Sequence, residues 1–300
     1  MRTRYFVTIC LLLLLLPVLA FSQMRWVTSQ PVVNMFSQPS TDADVVSQTI
    51  YGITVQQIPA DAKTKVPDGW MHIKTPDDYT GWVQRIAYLP LDVKETYAGS
   101  DKKVVTVANR AANIYRETDV TKHAPVMTLP FESPLELVGN SDKDPKRWLK
   151  VKLTSGDEVW VQRGDVDDRT GKPLTVLEVL NLAKHMMGVT YTWGGTSSFG
   201  YDCSGFTQML MRQQGIIMPR DADIQATWSG LEPVKREELK PGDLLYFGGQ
   251  NKKVTHTGMY IGNGEFIHDT THDHPMVQIS RLDDQPWTKL LLACRRAKTK

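Results

Sequence analysis

The sequence has few cysteines, little net charge and only one long apolar stretch. Its 300 residues include three cysteines, Cys10, Cys203 and Cys294. Lysine plus arginine number 35 and aspartate plus glutamate number 33, so the charges nearly cancel. A chain without a basic surplus gives no electrostatic reason to expect nucleic acid or an anionic membrane surface as a partner. The composition therefore disfavours nucleic-acid-binding proteins.

The long apolar stretch is at the N-terminus and is too short to cross a membrane. It covers residues 5–16, follows Arg2 and Arg4, and precedes a stretch at 20–22 that resembles a cleavage site. This is the pattern of a secretory signal peptide, which we predict over residues 1–22. Export to the periplasm or cell envelope is expected. Cleavage would remove both arginines and bring the formal charge from +2 to 0.

Export leaves Cys203 and Cys294 as the cysteines of the mature chain. In an oxidising compartment the two could form a disulfide. Their surroundings favour separate roles, because Cys294 ends the apolar run 290–294 whereas Cys203 follows a glycine-rich, polar loop. Both interpretations stay open on these residues.

Residues 31–165 contain an internal repeat. A tryptophan is followed twelve residues later by Trp-Val-Gln-Arg in both copies, at Trp70 and Trp82 and again at Trp148 and Trp160. Each copy also alternates apolar and polar residues over short runs, which is typical of β-strands with one buried face. Two small all-β units are therefore predicted, over residues 23–97 and 98–170.

The last part of the chain, residues 171–300, has helix patterns before strand patterns. Thr175 and Glu178 have the spacing of a capping box, and apolar residues then recur at helical spacing from Val176 to Met187. A second helix is predicted over residues 203–214. The predicted strands then lie at 244–247, 256–261, 265–269, 276–279 and 290–294. Helices followed by antiparallel strands indicate an α+β domain.

Cys203 has the surroundings of a reactive thiol. It follows the glycine-rich loop 193–200, whose backbone can approach a substrate closely. It also begins the second predicted helix, where unpaired N–H groups and the helix dipole are expected to favour a thiolate and could bind an oxyanion. Cys203 is therefore the candidate nucleophile for cleavage of an acyl bond.

Two downstream histidines could complete this chemistry. Gly262-Asn263-Gly264 is a hairpin turn signal, and a turn centred on Asn263 puts His256 and His268 on one sheet face as diagonal neighbours. A shift of the register by one residue would put them on opposite faces. In the first register His256 can accept the proton of the thiol while His268 orients its imidazole.

A metal site is the alternative use of these residues. His268, His272 and His274 with Asp269 and Asp273 could form a cluster of ligands, which would indicate a metal-dependent hydrolase. The segment continues a strand, whereas an i, i+4 histidine pair would suit a helix. No metal or other cofactor is therefore expected.

Four motifs together resemble the NlpC-type cell-wall cysteine peptidases. They are listed here in chain order: Asp202-Cys203-Ser204-Gly205-Phe206, Leu239-Lys240-Pro241-Gly242-Asp243-Leu244, His256-Thr257-Gly258-Met259-Tyr260-Ile261-Gly262 and Phe266-Ile267-His268. The resemblance implies a papain-like fold over about residues 174–297 and a triad of Cys203 as nucleophile, His256 as base and His268 as orienting residue. The two upstream units resemble bacterial SH3-like domains. The two SH3-like units and the peptidase motifs together resemble the γ-D-glutamyl-L-diamino-acid endopeptidases, also called dipeptidyl-peptidase VI.

The same resemblance implies a substrate and a set of residues that bind it. The substrate would be a murein stem peptide with a free N-terminal L-Ala, cleaved after γ-D-Glu by a monomeric enzyme. The implied substrate-binding residues are Asp44, Tyr79, Tyr191, Trp193, Asp202, Ser204, Arg220 and Asp221. Asp44 would pair with the free amine and Tyr79 would close the pocket. The sequence departs from the family at Thr255, where serine is usual, and at Asp221-Ala222, where small hydroxyl residues are common.

Two other functions stay open for the same fold. The catalytic domain could be dormant, which would leave a module that only binds the cell wall. Alternatively, an acyl-enzyme formed on Cys203 could be resolved by an amine instead of water, which would make the protein an acyltransferase.

Overall fold

The computed structural model describes residues 24–92, 95–168, 172–249 and 251–298. The predicted signal segment 1–22, with Cys10, lies outside the described residues.

The first β unit is a seven-stranded antiparallel sheet. Its strands are β1 Arg25–Thr28, β2 Val32–Phe36, β3 Val45–Ile50, β4 Thr54–Gln57, β5 Trp70–Lys74, β6 Thr80–Gln84 and β7 Tyr88–Leu91. They are hydrogen-bonded in the order β3-β2-β6-β5-β4-β1-β7. Met71 and Ile73 point into the core while His72 between them lies on the other face, as the period of a strand requires.

The second β unit repeats the first strand for strand. Its strands are β8 Val104–Val107, β9 Ala111–Tyr115, β10 Met127–Pro130, β11 Pro134–Asn140, β12 Trp148–Lys152, β13 Glu158–Gln162 and β14 Val166–Asp167. Their order, β10-β9-β13-β12-β11-β8-β14, is that of the first unit with each number raised by seven. The repeated sequence is a hairpin in both copies, with Trp70 opposite Gln84 and Trp148 opposite Gln162. The predicted internal repeat is therefore a structural repeat.

The two β units pack against each other through apolar and polar contacts. Val27 and Tyr51 of the first unit are buried in the core of the second. The Tyr51 hydroxyl also accepts a hydrogen bond of 2.7 Å from the backbone N–H of Thr154. Burial of these side chains opposes a free hinge between the units.

The α+β domain begins with the predicted capped helix. The helices are α1 Val176–His185, α2 Cys203–Gln213, α3 Ala222–Thr227 and α4 Trp287–Leu290. Thr175 and Glu178 form the capping box at the start of α1. The apolar stripe is shorter than predicted, because α1 ends at His185. Met186 is fully buried, whereas Val176 and Met187 are exposed.

The strands of this domain form a two-stranded and a six-stranded antiparallel sheet. The short sheet is β15 Thr196–Ser197 with β16 Gly200–Tyr201, and the other strands are β17 Leu231–Val234, β18 Leu244–Gly248, β19 Val254–Gly262, β20 Glu265–Thr270, β21 Met276–Arg281 and β22 Leu291–Ala297. The large sheet has the order β17-β22-β18-β19-β20-β21. The predicted α+β architecture is confirmed in its elements, and the five predicted strands are β18 to β22.

The six-stranded sheet has an apolar core on each face. Helices α1 and α2 pack on one face, over residues such as Met259 and Ile267. The other face carries a smaller cluster that includes Phe247, Phe266 and Trp287. The start of α2 lies against β19, so the nucleophile candidate on α2 meets the strand that carries the first histidine.

Candidate active site

Cys203 is the first residue of α2 and is almost fully buried. It has 8% of its surface exposed. The carboxylate of Asp202, the residue before the helix, accepts a hydrogen bond of 2.7 Å from the backbone N–H of Gly205 and caps the helix. The backbone N–H groups of Thr257, the residue after His256, and of Ser204 act to lower the pKa of the thiol. The thiol therefore lies at the junction of α2 and β19, as the motifs predict.

The two histidines are hydrogen-bonded to each other. His256 Nε2 lies 2.7 Å from His268 Nδ1. Strands β19 and β20 pair with Met259 opposite Ile267, which is the register that a turn centred on Asn263 predicts. His268 is fully buried, and its Nε2 lies 3.0 Å from the hydroxyl of Ser280 on β21. The predicted side-by-side arrangement of the histidines is confirmed.

This chain of contacts can fix the tautomers that base catalysis requires. If the Ser280 hydroxyl accepts from His268 Nε2–H, then His268 Nδ1 is free to accept from His256 Nε2–H. His256 Nδ1 is then unprotonated and available to the thiol. Ser280 was missed at the level of sequence, because no motif contains it. Strands β20 and β21 pair as a hairpin, and counting residues across that hairpin places Ser280 on the same sheet face as His268. The sequence could have indicated Ser280 in this way.

Burial sets the charge state of the nucleophile and the base. It raises the pKa of the Cys203 thiol to about 12, with the negative charge of Asp202 acting in the same direction. It lowers the pKa of His256 to about 4 and that of His268 well below its ordinary value. The resting pair is therefore a neutral thiol and a neutral imidazole. Desolvation therefore acts against the resting thiolate that the helix start was expected to favour.

Asp202, Ser204 and Arg220 form a closed polar network behind the nucleophile. Arg220 Nη1 and Nη2 lie 3.0 Å and 2.6 Å from the two carboxylate oxygens of Asp202. Arg220 Nη1 also donates to the Ser204 hydroxyl at 2.7 Å, and the backbone N–H of Gly194 donates to Asp202 at 3.1 Å. Arg220 is 2% exposed and Asp202 7%. These side chains hold the start of α2 and the glycine-rich loop in place.

The first β unit reaches the catalytic domain at this network. The hydroxyl of Tyr79 lies 3.4 Å from Oδ1 of Asp221, the neighbour of Arg220. Burial, followed by the charge of Asp221, raises the pKa of Tyr79 to about 12. Burial also raises the pKa of Asp221, which the guanidinium of Arg220 opposes. The structure thus brings together Tyr79 and Asp221, which lie 142 residues apart in sequence.

The remaining predicted residues surround the same region. Tyr191 is half-buried, and both the thiol of Cys203 and the carboxylate of Asp202 raise its pKa further beyond the effect of burial. Trp193 is 69% exposed. Asp44 is exposed and precedes Val45, against which the backbone of Gly194 packs. Among the described residues the Asp44 carboxylate has no hydrogen-bond or ion-pair partner.

The residues of the disulfide and metal alternatives are also described by the structure. Cys203 and Cys294 are both free thiols. Within the described ranges, no three His, Cys, Asp or Glu side chains are grouped to hold a metal ion. His272 instead lies 2.9 Å from the carboxylate of Asp273. No helix of the described chain is long and apolar enough to span a membrane.

The buried thiol begins a helix that packs against the strand of His256, and His256 is hydrogen-bonded to His268, which is the set of groups that a cysteine peptidase uses. Residues 188–296 match the NlpC/P60 family, and residues 31–87 match the bacterial SH3 domain. The chain is therefore a peptidase that carries an NlpC/P60 domain after a bacterial SH3 domain.

Curated relatives and a solved structure agree with this assignment. A protein of Bacillus subtilis (strain 168) named gamma-D-glutamyl-L-lysine dipeptidyl-peptidase is 28% identical over 74% of this chain and 70% of its own length. Dipeptidyl-peptidase 6 of Lysinibacillus sphaericus is 25% identical over 85% of this chain and 90% of its own length. The crystal structure of a NlpC/P60 family protein from Bacillus cereus ATCC 10987 superposes with a TM-score of 0.75 at 20% identity. The superposition covers 91% of this chain and 99% of the Bacillus cereus chain, so the two proteins share their fold.

Proposed function

We propose that this protein is a cysteine endopeptidase that cleaves the γ-D-glutamyl–L-diamino-acid bond of peptidoglycan stem peptides with a free N-terminal L-Ala. The product would be L-Ala-γ-D-Glu, released during turnover or recycling of the cell wall by a monomeric enzyme in the cell envelope. The arrangement of Cys203, His256 and His268 carries the chemistry of this proposal. Relatives named for the γ-D-glutamyl-L-lysine bond support the choice of substrate.

The reaction begins from the neutral pair. Cys203 Sγ attacks the γ-carbonyl carbon of D-Glu as its proton moves to His256 Nδ1, and the carbonyl oxygen becomes an oxyanion. The backbone N–H of Cys203, the first residue of α2, would donate to that oxyanion. His256 then gives the proton to the leaving amine of the diamino acid, which leaves a thioester. A water molecule loses a proton to His256, attacks the thioester and regenerates the thiol.

A free amine on the substrate fits the acidic groups around the cleft. Asp44 of the first β unit has no hydrogen-bond or ion-pair partner among the described residues, and Asp221 lies across from Tyr79 between the two units. An ammonium group would compensate these carboxylates, whereas a blocked amine would leave them desolvated without a partner. Tyr79 would close this end of the cleft, and Tyr191 and Trp193 would line its sides. The hydrogen-bonded side chains of Asp202, Ser204 and Arg220 would hold the start of α2 and the glycine-rich loop in place.

Mass spectrometry of defined stem peptides tests this function. Peptides L-Ala-γ-D-Glu-L-Lys with free and with acetylated L-Ala are incubated with the full chain and with Cys203→Ala. We expect release of L-Ala-γ-D-Glu from the free peptide and no turnover by the variant. Cys294→Ala is the matched control, because it removes the other buried thiol and should keep activity. Equal cleavage of both peptides would contradict the requirement for a free amine.

The same experiment separates the two alternative functions. A dormant wall-binding module would release no product from any peptide, with or without Cys203. An acyltransferase would give a product joined to an added amine instead of the free acid.

A further inference from the structure

The turn between β5 and β6 is the part of the first β unit that carries Tyr79 to the catalytic domain. Its backbone is held by hydrogen bonds of 2.9 Å from Thr75 N–H to Tyr79 O and of 3.0 Å from Asp78 N–H to Thr75 O. The hydroxyl of Thr75 donates to Tyr79 O at 3.0 Å and lies 2.5 Å from Asp77 Oδ1. These hydrogen bonds hold the shape of the turn, and two of its side chains also contact the catalytic domain.

Asp77 makes the shortest such contact in the described chain. Its Oδ2 accepts a hydrogen bond of 2.8 Å from Nε2 of Gln208, whereas the Tyr79 hydroxyl is 3.4 Å from Asp221. Gln208 lies on α2, five residues after the nucleophile, and is 3% exposed. A short hydrogen bond to a carboxylate from a buried amide is among the stronger polar contacts in a protein.

Gln208 also holds the loop that carries Asp221, which lies opposite Tyr79. The same Nε2 donates at 2.9 Å to the backbone oxygen of Met218, two residues before Arg220. One amide group therefore connects the turn that carries Tyr79 with the loop that carries Asp221. The distance between Tyr79 and Asp221 depends on this bridge.

The turn also packs within its own unit, because Tyr79 lies against the core of the first β unit. A cavity of about 440 Å³ lies between the two β units and α2, and Thr75, Asp77, Gln208 and Met218 are among the residues that line it. This open space beside the contact leaves room for the turn to shift if the hydrogen bond is removed.

We propose that Asp77 and Gln208 are positioning residues that set the selectivity for the substrate amine by holding Tyr79 against Asp221. This inference rests on the proposed function and adds to it a pair of residues that touch neither the substrate nor the triad. Their effect is expected in KM and in the preference for a free amine. The triad is held by separate contacts, so kcat should stay close to that of the wild type.

Four variants of the full chain test this role with the free and acetylated peptides. Asp77→Ala removes the bridge, and we expect its preference in kcat/KM for the free peptide to fall by roughly tenfold through a higher KM. Asp77→Asn should retain the preference, because its Oδ1 can accept from Gln208 while its amide donates to the Thr75 hydroxyl. Gln208→Met removes the same hydrogen bond by replacing its donor on α2. Its preference and KM should therefore resemble those of Asp77→Ala. Asp78→Asn is the matched control in the same turn, because Lys74 is the one partner of its exposed carboxylate within the described part of the chain.

Each outcome decides the proposal. Unchanged preference and KM in Asp77→Ala and Gln208→Met would overturn it, as would a loss of kcat with the preference intact. A loss of preference in Asp77→Asn equal to that in Asp77→Ala would mean that the charge of Asp77 acts on the substrate directly, and would also overturn it. A wild type that cleaves both peptides equally contradicts the proposed function, and this is visible without any variant.

Discussion

Asp269 is a buried carboxyl group beside the active site, and its replacement by asparagine should change how stability depends on pH. It lies on β20 next to His268 and is fully buried. Neither of its carboxyl oxygens has a hydrogen-bond partner among the described residues. Burial, followed by the charge of Asp202, raises the pKa of Asp269 from 3.8 to about 8. An ionised carboxylate without partners at this depth is costly, so the group is neutral at low pH.

The sign of the effect follows from proton binding. Because the folded pKa is raised, the folded protein holds a proton between pH 4 and pH 8 that the unfolded chain has lost. The contribution of Asp269 to stability is therefore intact below about pH 4 and is lost as the pH rises toward the folded value. One pKa unit corresponds to about 1.4 kcal/mol, so the loss between pH 5 and pH 8 is about 3 to 4 kcal/mol at most.

Urea unfolding of wild type and Asp269→Asn at pH 5, 6, 7 and 8 measures this effect. We expect the free energy of unfolding of the variant, minus that of the wild type, to increase with pH by up to about 3 to 4 kcal/mol. His256 and His268 titrate in both proteins, so their effect cancels in the difference. Asp243→Asn is a control, because that buried carboxylate pairs with Arg296 at 2.7 Å and its loss should only destabilise. A difference that does not change with pH would refute the reasoning.

Three further substitutions test separate contacts. Ser280→Ala removes the hydroxyl that orients His268 and should lower kcat about tenfold with little change in KM, as steady-state kinetics would measure; an unchanged kcat would contradict the proposed tautomers. Gly205→Ala would place a methyl group 2.1 Å from the backbone oxygen of Gly195, so we expect a large drop in melting temperature, and an unchanged value would contradict the close approach. Arg220→Lys replaces a bidentate pair with a single contact and should destabilise the protein by about 3 kcal/mol in urea unfolding; a loss below about 1 kcal/mol would mean that the pair adds little.

Local patterns in the sequence were sufficient for most of the secondary structure and for the histidine pair. Thr175 and Glu178 predict the start of α1, because a capping box depends only on residues three positions apart. His256 and His268 could be placed together because one hairpin turn fixes the parity of both strands. The repeated tryptophans likewise predict two copies of one hairpin, which the structure contains.

The charge state of the nucleophile could not be predicted from the sequence. A helix N-terminus stabilises an anion by about 0.3 to 1 kcal/mol, which is less than one pKa unit. Burial instead raises the pKa of Cys203 from 9.0 to about 12, or about 4 kcal/mol in the opposite direction. The depth of burial depends on how α2 packs against β19, and no local motif contains that information. For the same reason the sequence did not reveal the partner of Arg220.

The two parts of the site are held by different kinds of interaction, and this bears on how selectivity can change. The nucleophile and the histidines lie within one domain, on a helix and two paired strands whose register a single turn fixes. The turn that carries Tyr79 belongs to another unit, which contacts the catalytic domain at two places. Gln48 is hydrogen-bonded to Thr196. At the turn itself, the hydrogen bond from Gln208 to Asp77 is shorter than the contact between Tyr79 and Asp221. A substitution in the turn between β5 and β6 can therefore move Tyr79 without disturbing the triad. Under the proposed function, selectivity for the end of the substrate would then be separable from the chemistry of bond cleavage.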